Sequence, residues 1–361
     1  MSEKLRVGIL GGTGMVGQRF ISLLENHPWF EVVTIAASAR SAGKTYEEAV
    51  GGRWKMTTPM PEAVKKIVVM NVNEVEKVAA GVDFVFSAVD MSKEEIRAIE
   101  EAYAKTETPV VSNNSAHRWT PDVPMVIPEI NPEHFEVIES QKKRLGTTRG
   151  FIAVKPNCSI QSYAPVLNAW KEFEPYEVVA TTYQAISGAG KTFKDWPEMV
   201  ENVIPYIGGE EEKSEQEPLR VLGHVENGVV VKAQEPKITC QCIRVPVLNG
   251  HTAAVFVKFR KKPTREELIS RMVNYQGFPQ EAGLPSAPKQ FIRYMEEDNR
   301  PQVQLDVDFE NGMGISIGRL REDSIYDWKF IGLSHNTVRG AAGGAVLCAE
   351  TLKAKGYIAK K

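Results

Sequence analysis

Residues 7–17 read Val-Gly-Ile-Leu-Gly-Gly-Thr-Gly-Met-Val-Gly, a short apolar run entering a glycine loop. Gln18-Arg19-Phe20-Ile21-Ser22-Leu23-Leu24 then continues with helical spacing. Strand, glycine loop and helix in that order form the opening unit of a doubly wound α/β fold. Gly12, Gly14 and Gly17 fill the G-x-G-x-x-G spacing, with Thr13, Met15 and Val16 between them. Glycine there permits a tight turn and close approach of a pyrophosphate, whose charge the helix N-terminus faces. Because the motif falls on the first strand-to-helix turn, it reads as a dinucleotide site.

The next strand, 32–37, should end in an acidic residue if the ribose 2′-hydroxyl of NAD were the ligand. Ser38-Ala39-Arg40-Ser41 stands there instead. Hydroxyls and a guanidinium suit a 2′-phosphate, so Ser38, Arg40 and Ser41 point to NADP. Further strands are expected at 83–89 and 109–112. Between them Ser92 and Glu95 form a capping box at a helix start. Repeated βα units predict a mostly parallel sheet with ligands at the carboxyl ends of its strands. Ser87, Ala88, Asn113 and Asn114 occupy such ends.

At 361 residues the chain exceeds one ordinary core, so two domains are expected. We place an NADP-binding domain at 1–150 plus 335–361 and a catalytic and oligomerisation domain at 151–334. A net charge of -2 argues against nucleic acid or an anionic membrane as partner. No apolar run approaches the ~18 residues of a membrane span. The start, Met-Ser-Glu-Lys-Leu-Arg, runs into a strand and is read as leaving no room for a signal peptide. Four cysteines are too few for a disulfide framework and fit a reducing cytoplasm. Cys240 and Cys242 face one way on a strand and read as packing residues; no metal site is expected.

In the second half, Lys155-Pro-Asn-Cys-Ser-Ile puts Cys158 between a strand and a helix-like stretch. Unpaired N–H groups and the helix dipole favour a thiolate there, the reactive form of cysteine. A long strand, 177–187, leads to Gly188-Ala-Gly-Lys-Thr192. That run imitates a P-loop, but Ala185 replaces its first glycine. Residues 238–259 alternate around Leu248-Asn249-Gly250-His251, which predicts a type I′ hairpin. His251 would then follow the turn on an accessible rim, with Arg244 on the same face about four rows away. The small residues of 335–352 predict a helix that packs back onto the first domain.

Seven segments, taken in order, resemble the aspartate-semialdehyde dehydrogenase family over essentially the whole chain. They are Gly-Gly-Thr-Gly-Met-Val-Gly, Ser-Asn-Asn-Ser, Val-Ile-Pro-Glu-Ile-Asn, Pro-Asn-Cys-Ser, Gln-Ala-Ile-Ser-Gly-Ala-Gly, Arg-Val-Pro-Val-Leu-Asn-Gly-His and Asn-Thr-Val-Arg-Gly-Ala-Ala-Gly. Gly-Gly-Glu-Glu-Glu-Lys looks like its archaeal and fungal branch. The resemblance implies a Rossmann-type parallel domain and an α+β catalytic and dimerisation domain, assembled as a homodimer or homotetramer. It implies reductive dephosphorylation of L-4-aspartyl phosphate by NADPH, on the route to lysine, threonine, methionine and isoleucine. Cys158 would be the nucleophile, forming a thioester, His251 the acid–base and Gln184 the residue that orients the acyl group. Arg244 would take the substrate carboxylate, Glu210 its amine, and Lys213 and Arg118 the phosphate, with Asn157 also at the substrate. Ser187, Gly188 and Asn336 would join the cofactor set. Of the glutamates 210–212, the alignment does not single out the one that meets the amine. Two alternatives stay open: a malonyl-CoA or succinyl-CoA reductase on the same scaffold, and a non-catalytic NADP-binding sensor.

Overall fold

The computed structural model describes residues 3–361. A parallel sheet holds β1 (Leu5–Leu10), β2 (Phe30–Ala37), β3 (Met70–Asn71), β4 (Phe84–Ser87), β5 (Val110–Ser112) and β6 (Ile152–Val154). Their order is β3-β2-β1-β4-β5-β6, so the winding direction reverses between β1 and β4. Open α/β sheets bind ligands at such a reversal. Both faces are covered, which is why these strands read as apolar runs. Along β4, Val85 packs with Ile96 and Tyr103 of the helix Lys93–Lys105. Phe84 and Phe86 face the other way, onto Phe20 and onto Ala345 and Ala349 of the helix Gly343–Ala354. The expected return of the C-terminal segment to the first sheet is therefore seen, and so is the Ser92–Glu95 capping box.

A division of the chain at 150/151 does not match this sheet. β6 lies beyond that point and hydrogen-bonds to β5 as the sixth strand, so the parallel sheet ends at Val154. The tight turn of the glycine loop also falls one residue early. Gly11, not Gly12, adopts the left-handed φ of +80°, and a Cβ there would meet the Ala88 carbonyl oxygen at 2.3 Å.

The second sheet is mixed. It comprises β7 (Pro175–Gln184), β10 (Lys237–Arg244), β11 (His251–Phe259), β12 (Ile292–Met295), β13 (Ile315–Glu322) and β14 (Trp328–Ser334). The order is β10-β7-β11-β14-β13-β12, and a separate ribbon pairs β8 (His224–Glu226) with β9 (Val229–Val231). One face is core: Val178, Ala180, Cys240, Cys242, Ala253 and Val255 pack together. The opposite face carries Tyr183 and Gln241, which are exposed, and half-buried Thr181 and Phe256.

The predicted hairpin is absent. β7 lies between β10 and β11, parallel to the first and antiparallel to the second. Residues 245–250 must therefore span two strand spacings, roughly 9.5 Å, which a two-residue turn cannot do. The connection crosses the end of β7 and serves it: Ile186 N–H donates to Val247 O at 2.9 Å and Ser187 N–H to Leu248 O at 3.2 Å. Pro246, which has no N–H, sits in this crossing strap. The run after Gly188 forms no helix at Lys191, as its reading as a false P-loop required.

Candidate active site

β10, β7 and β11 end side by side, and their register places Arg244, Gln184 and His251 in one row. All three side chains are buried, at 6%, 2% and 0% exposure. The accessible rim expected for His251 is corrected here, because the strap 245–250 and the end of β7 close over it. Burial, and after it the Arg244 guanidinium, push His251 down to about 3. Arg244 donates through Nη1 to the Ala185 carbonyl at 2.7 Å, and among the described residues no carboxylate pairs with it. Gln184 donates to Thr182 Oγ1 at 3.1 Å, so its amide is turned along its own strand.

Cys158, the expected nucleophile, comes from the other sheet. β6 runs through Lys155 and Pro156 into Asn157 and Cys158, and Cys158 Sγ lies 3.3 Å from His251 Nε2. Easy ionisation is not what the surroundings give. Burial, and next the Glu210 carboxylate, push Cys158 up to about 11, against the pull of Lys155, Arg118 and Arg244. The expected dipole is short: Ser159–Ser162 is one 3₁₀ turn, broken at Tyr163 before the helix Ala164–Ala169.

The helix Glu210–Val221 supplies the third wall. Glu210, Lys213, Ser214 and Glu217 share one stripe of it. Glu210 is buried and accepts from Asn157 Nδ2, while Lys213 Nζ lies 3.6 Å from its other oxygen. Glu211 is half-buried, with its Oε1 3.4 Å from Cys242 N–H, and Glu212 is exposed, so Glu210 alone of the three faces the nucleophile. Cys158, Glu210, Lys213, Asn113, Ser187 and Asn336 line a single cavity of about 250 Å³. A larger cleft of about 360 Å³ beside Lys171 and Glu174 holds no nucleophile.

Cys158 and His251 thus stand together, with the Arg244 guanidinium and the Glu210 carboxylate close to the sulfur. Residues 6–138 match the family model "Semialdehyde dehydrogenase, NAD binding domain", and 164–339 match "Semialdehyde dehydrogenase, dimerisation domain". The aspartate-semialdehyde dehydrogenase of Methanothermobacter thermautotrophicus is 43% identical over 354 residues, covering 96% of this chain and 99% of that protein. That of Candida albicans is 41% identical over 371 residues, covering 99% and 100%. The crystal structure of aspartate semialdehyde dehydrogenase with NADP from Candida albicans superposes with a TM-score of 0.88 at 39% identity, covering 99% and 100%. This chain belongs to the aspartate-semialdehyde dehydrogenase family.

Within this aspartate-semialdehyde dehydrogenase family member, several predicted site residues also tie the walls of the cavity together. Arg118 pairs with Glu217 at 3.0 Å and donates to the Lys155 and Asn113 carbonyls, so it braces the nucleophile turn. The amide of Asn336 joins Ser187 Oγ at 2.8 Å to Gly250 N–H at 2.8 Å, locking the strap to β7. Ser87 is fully buried, and its hydroxyl accepts from Asn114. Ser38 and Arg40 are exposed beyond β2, with Ser41 tucked beneath.

The residues at the mouth of the first sheet fit a dinucleotide. Gly17 lies so close to the loop that a Cβ would meet Gly11 O at 2.3 Å, whereas a Cβ on Gly14 would make only an ordinary contact with Gly11 O at 3.6 Å. Asn113 Oδ1 is buried without a protein partner at the cavity wall. Both features leave room and a hydrogen-bonding atom for a bound group.

Two residues that sequence reasoning missed hold the site together. Glu217 accepts from Asn157 N–H at 2.6 Å as well as from Arg118; its seven-residue spacing from Glu210 on one helix was the available signal. Lys155 is buried, and its Nζ donates to the Pro156 and Gly340 carbonyls. Gly340 is needed there, because a Cβ would come within 2.7 Å of Cys158 Cβ. The turn Val338–Ala342 that carries it is pinned by Arg339, which grips Glu129 in a buried fork at 2.9 and 2.7 Å.

Proposed function

We propose that this chain reduces L-4-aspartyl phosphate to L-aspartate 4-semialdehyde with NADPH, releasing phosphate, as an oxidoreductase of amino-acid biosynthesis. The observation that carries the reading is the 3.3 Å contact of Cys158 with His251 beside the unpaired Arg244 guanidinium. Arg244 takes the α-carboxylate in a bidentate grip, and Glu210 takes the α-ammonium. Lys213 faces the departing phosphate. Cys158 attacks the acyl carbon, its thiol proton passes by way of His251 to the departing phosphate, a C–S bond forms, the C–O bond to phosphate breaks, and a thioester remains. NADPH, when bound, supplies the hydride that reduces this carbonyl. The C–S bond then breaks and sulfur leaves as the thiolate, with His251 held against it. The glycine loop Gly11–Gly17, with Ser38, Arg40 and Ser41 for the 2′-phosphate, is the proposed cofactor seat.

An acyl-coenzyme A reductase would give Glu210 no ammonium to meet. NADPH oxidation measured with aspartyl phosphate and with malonyl-CoA decides: turnover is expected with the first alone, and turnover with malonyl-CoA alone overturns the reading.

The protein is proposed to work in the cytoplasm as a homodimer or homotetramer. No helix among the described residues is long and apolar enough to cross a membrane, and the four cysteines are free. Supporting the assembly is the open face of the second sheet, with Tyr183 exposed and Val200, Val203 and Tyr206 at 55–70% exposure nearby. A second copy covers that face in this reading. Analytical ultracentrifugation should give a multiple of the 40.1 kDa chain and a smaller mass for Tyr183→Asp.

A further inference from the structure

The helix Glu210–Val221 grips the turn that carries Cys158 at three successive levels. Glu210 accepts from Asn157 Nδ2, and Ser214 Oγ meets Ser159 Oγ at 2.8 Å. Glu217 Oε2 accepts from the Asn157 N–H at 2.6 Å, and Asn157 Oδ1 accepts from the Ser159 N–H at 2.6 Å. The residues on both sides of Cys158 are thus tied down, and the backbone just before it hangs on Glu217. In the proposed reaction Glu210 meets the substrate and Cys158 attacks, while Glu217 has no part.

Glu217 has a second partner. Its Oε1 accepts from Arg118 Nη1 at 3.0 Å, and among the described residues no other carboxylate pairs with that guanidinium. The other partners of Arg118 are carbonyls, Lys155 O to Nε at 3.1 Å and Asn113 O to Nη2 at 3.2 Å. That pattern leaves N–H groups on both terminal nitrogens, and Arg118 lines the cavity beside Cys158. Glu217 is 1% exposed and Arg118 7%, so water cannot stand in for either partner. A carboxylate whose two oxygens hold two different groups of the site fixes the distance between them.

Resting on the reaction given above, with Arg118 and Lys213 at the departing phosphate, we propose that Glu217 is a positioning residue. It sets the Cys158 turn and the Arg118 guanidinium at one separation, so that sulfur and anion-binding N–H groups meet opposite ends of the same acyl phosphate. Glu217 acts through these two groups and not on the reacting atoms. Attack needs the sulfur aligned on the acyl carbon, and a misplacement of about 1 Å can cost roughly 10²-fold in rate. Stability alone is a poor reason to bury such a pair, because apolar residues of the same volume are often as stable. Its two-sided grip supplies the better reason.

Glu217→Gln tests this, because the amide keeps the shape but presents an oxygen to only one of the two donors. In the phosphorylating direction kcat should fall roughly 10²-fold, and the KM for phosphate should rise roughly tenfold. The KM for aspartate semialdehyde, which Arg244 and Glu210 hold, should stay within about threefold. A merely stabilising residue would lower the melting temperature and leave kcat and both KM values of the folded protein at wild type. That result overturns the proposal. Glu217→Asp guards against a Gln variant that does not fold. It keeps the charge that buried Arg118 needs but is one methylene too short to hold both donors. The same KM split is expected of it, with kcat lower by roughly tenfold, and wild-type kinetics in this variant overturn the proposal equally.

Hydrogen exchange of the free enzyme, read by mass spectrometry, adds a measurement without substrate. In whichever variant folds, amides 157–162 should exchange roughly tenfold faster than in wild type, with β7 and β11 unchanged. Uniform acceleration across both sheets, or none anywhere, overturns the positioning role. A wrong substrate assignment leaves the exchange result standing and shows itself instead as wild-type protein that does not turn over aspartate semialdehyde.

Discussion

The two sheets meet at one cavity, yet they were not equally readable. The parallel sheet is assembled from βα units whose neighbours in space follow one another closely along the chain. Its glycine loop, its capping box and the strand ends at Ser87 and Asn113 are where local patterning puts them. In the mixed sheet β7 finds its partners in β10 and β11, far downstream. Alternating apolar residues and Asn249-Gly250 correctly announced two strands and a reversal. They could not announce that a third strand, made much earlier, would lie between them. Strand existence is a local property of the sequence, and strand neighbourhood is not.

If the sheets divide the labour, with the first seating the cofactor and the second gripping the substrate, variants on each side should fail differently. The largest effect belongs to Cys158 on the seam. Cys158→Ala should abolish turnover, and its NADPH dissociation constant should stay within a few-fold of wild type, since neither binding surface changes. Reductase activity well above trace contamination in that variant would end the thioester mechanism.

Arg244→Lys strikes the second sheet alone. The ammonium keeps the charge but loses the fork, at a cost of ~2–3 kcal/mol in substrate binding, or roughly 30- to 100-fold. The KM for aspartate semialdehyde in the phosphorylating direction should rise before kcat falls, with the NADP KM unchanged. A parallel rise in both KM values would show that the row at β10, β7 and β11 also shapes the cofactor seat. Arg40→Ala strikes the first sheet alone. Loss of one charge-assisted contact should cost ~1.5–3 kcal/mol, roughly ten- to hundredfold in NADPH affinity, and leave NADH untouched. Equal losses for the two cofactors would assign Arg40 to the shared adenosine contact or to the loop itself.

The site residues that were legible are those whose chemistry is stated by residue type: Cys158, His251, Arg244 and the glutamate run. What stayed hidden was their environment. A helix start after Pro-Asn-Cys suggested an acidic thiol, whereas the real turn is short and Glu210 stands beside the sulfur. His251 was expected in solvent because its hairpin was, and the crossing strap buries it instead. Glu217 and Lys155 escaped notice because they act by holding backbone groups, Asn157 N–H in one case and the Pro156 and Gly340 carbonyls in the other. No motif records such partners, which exist only after the second sheet, the helix Glu210–Val221 and the C-terminal turn have come together.

The last test probes the seam from beneath. Lys155 directly follows β6 of the first sheet and reaches Gly340 of the returning C-terminal segment. Burial, and after it the Arg118 charge, push its ammonium down to about 7, while Cys158, Glu217 and Cys348 pull weakly upward. In the unfolded chain the same group titrates near ~10.4. Below about pH 7 both states hold the proton, so the penalty of burying the charge is complete and constant. Between that value and ~10.4 the unfolded state holds more protons, and stability should rise with pH. Lys155→Met keeps the volume and removes the titration. The wild-type melting temperature, measured relative to this variant, should therefore climb from pH 7 to pH 10, through a few kcal/mol or a few degrees. Other groups titrating in that range cancel in the difference. A flat difference would mean that the Pro156 and Gly340 carbonyls keep the ammonium charged, and the seam would then be held by a buried cation rather than by a neutral amine.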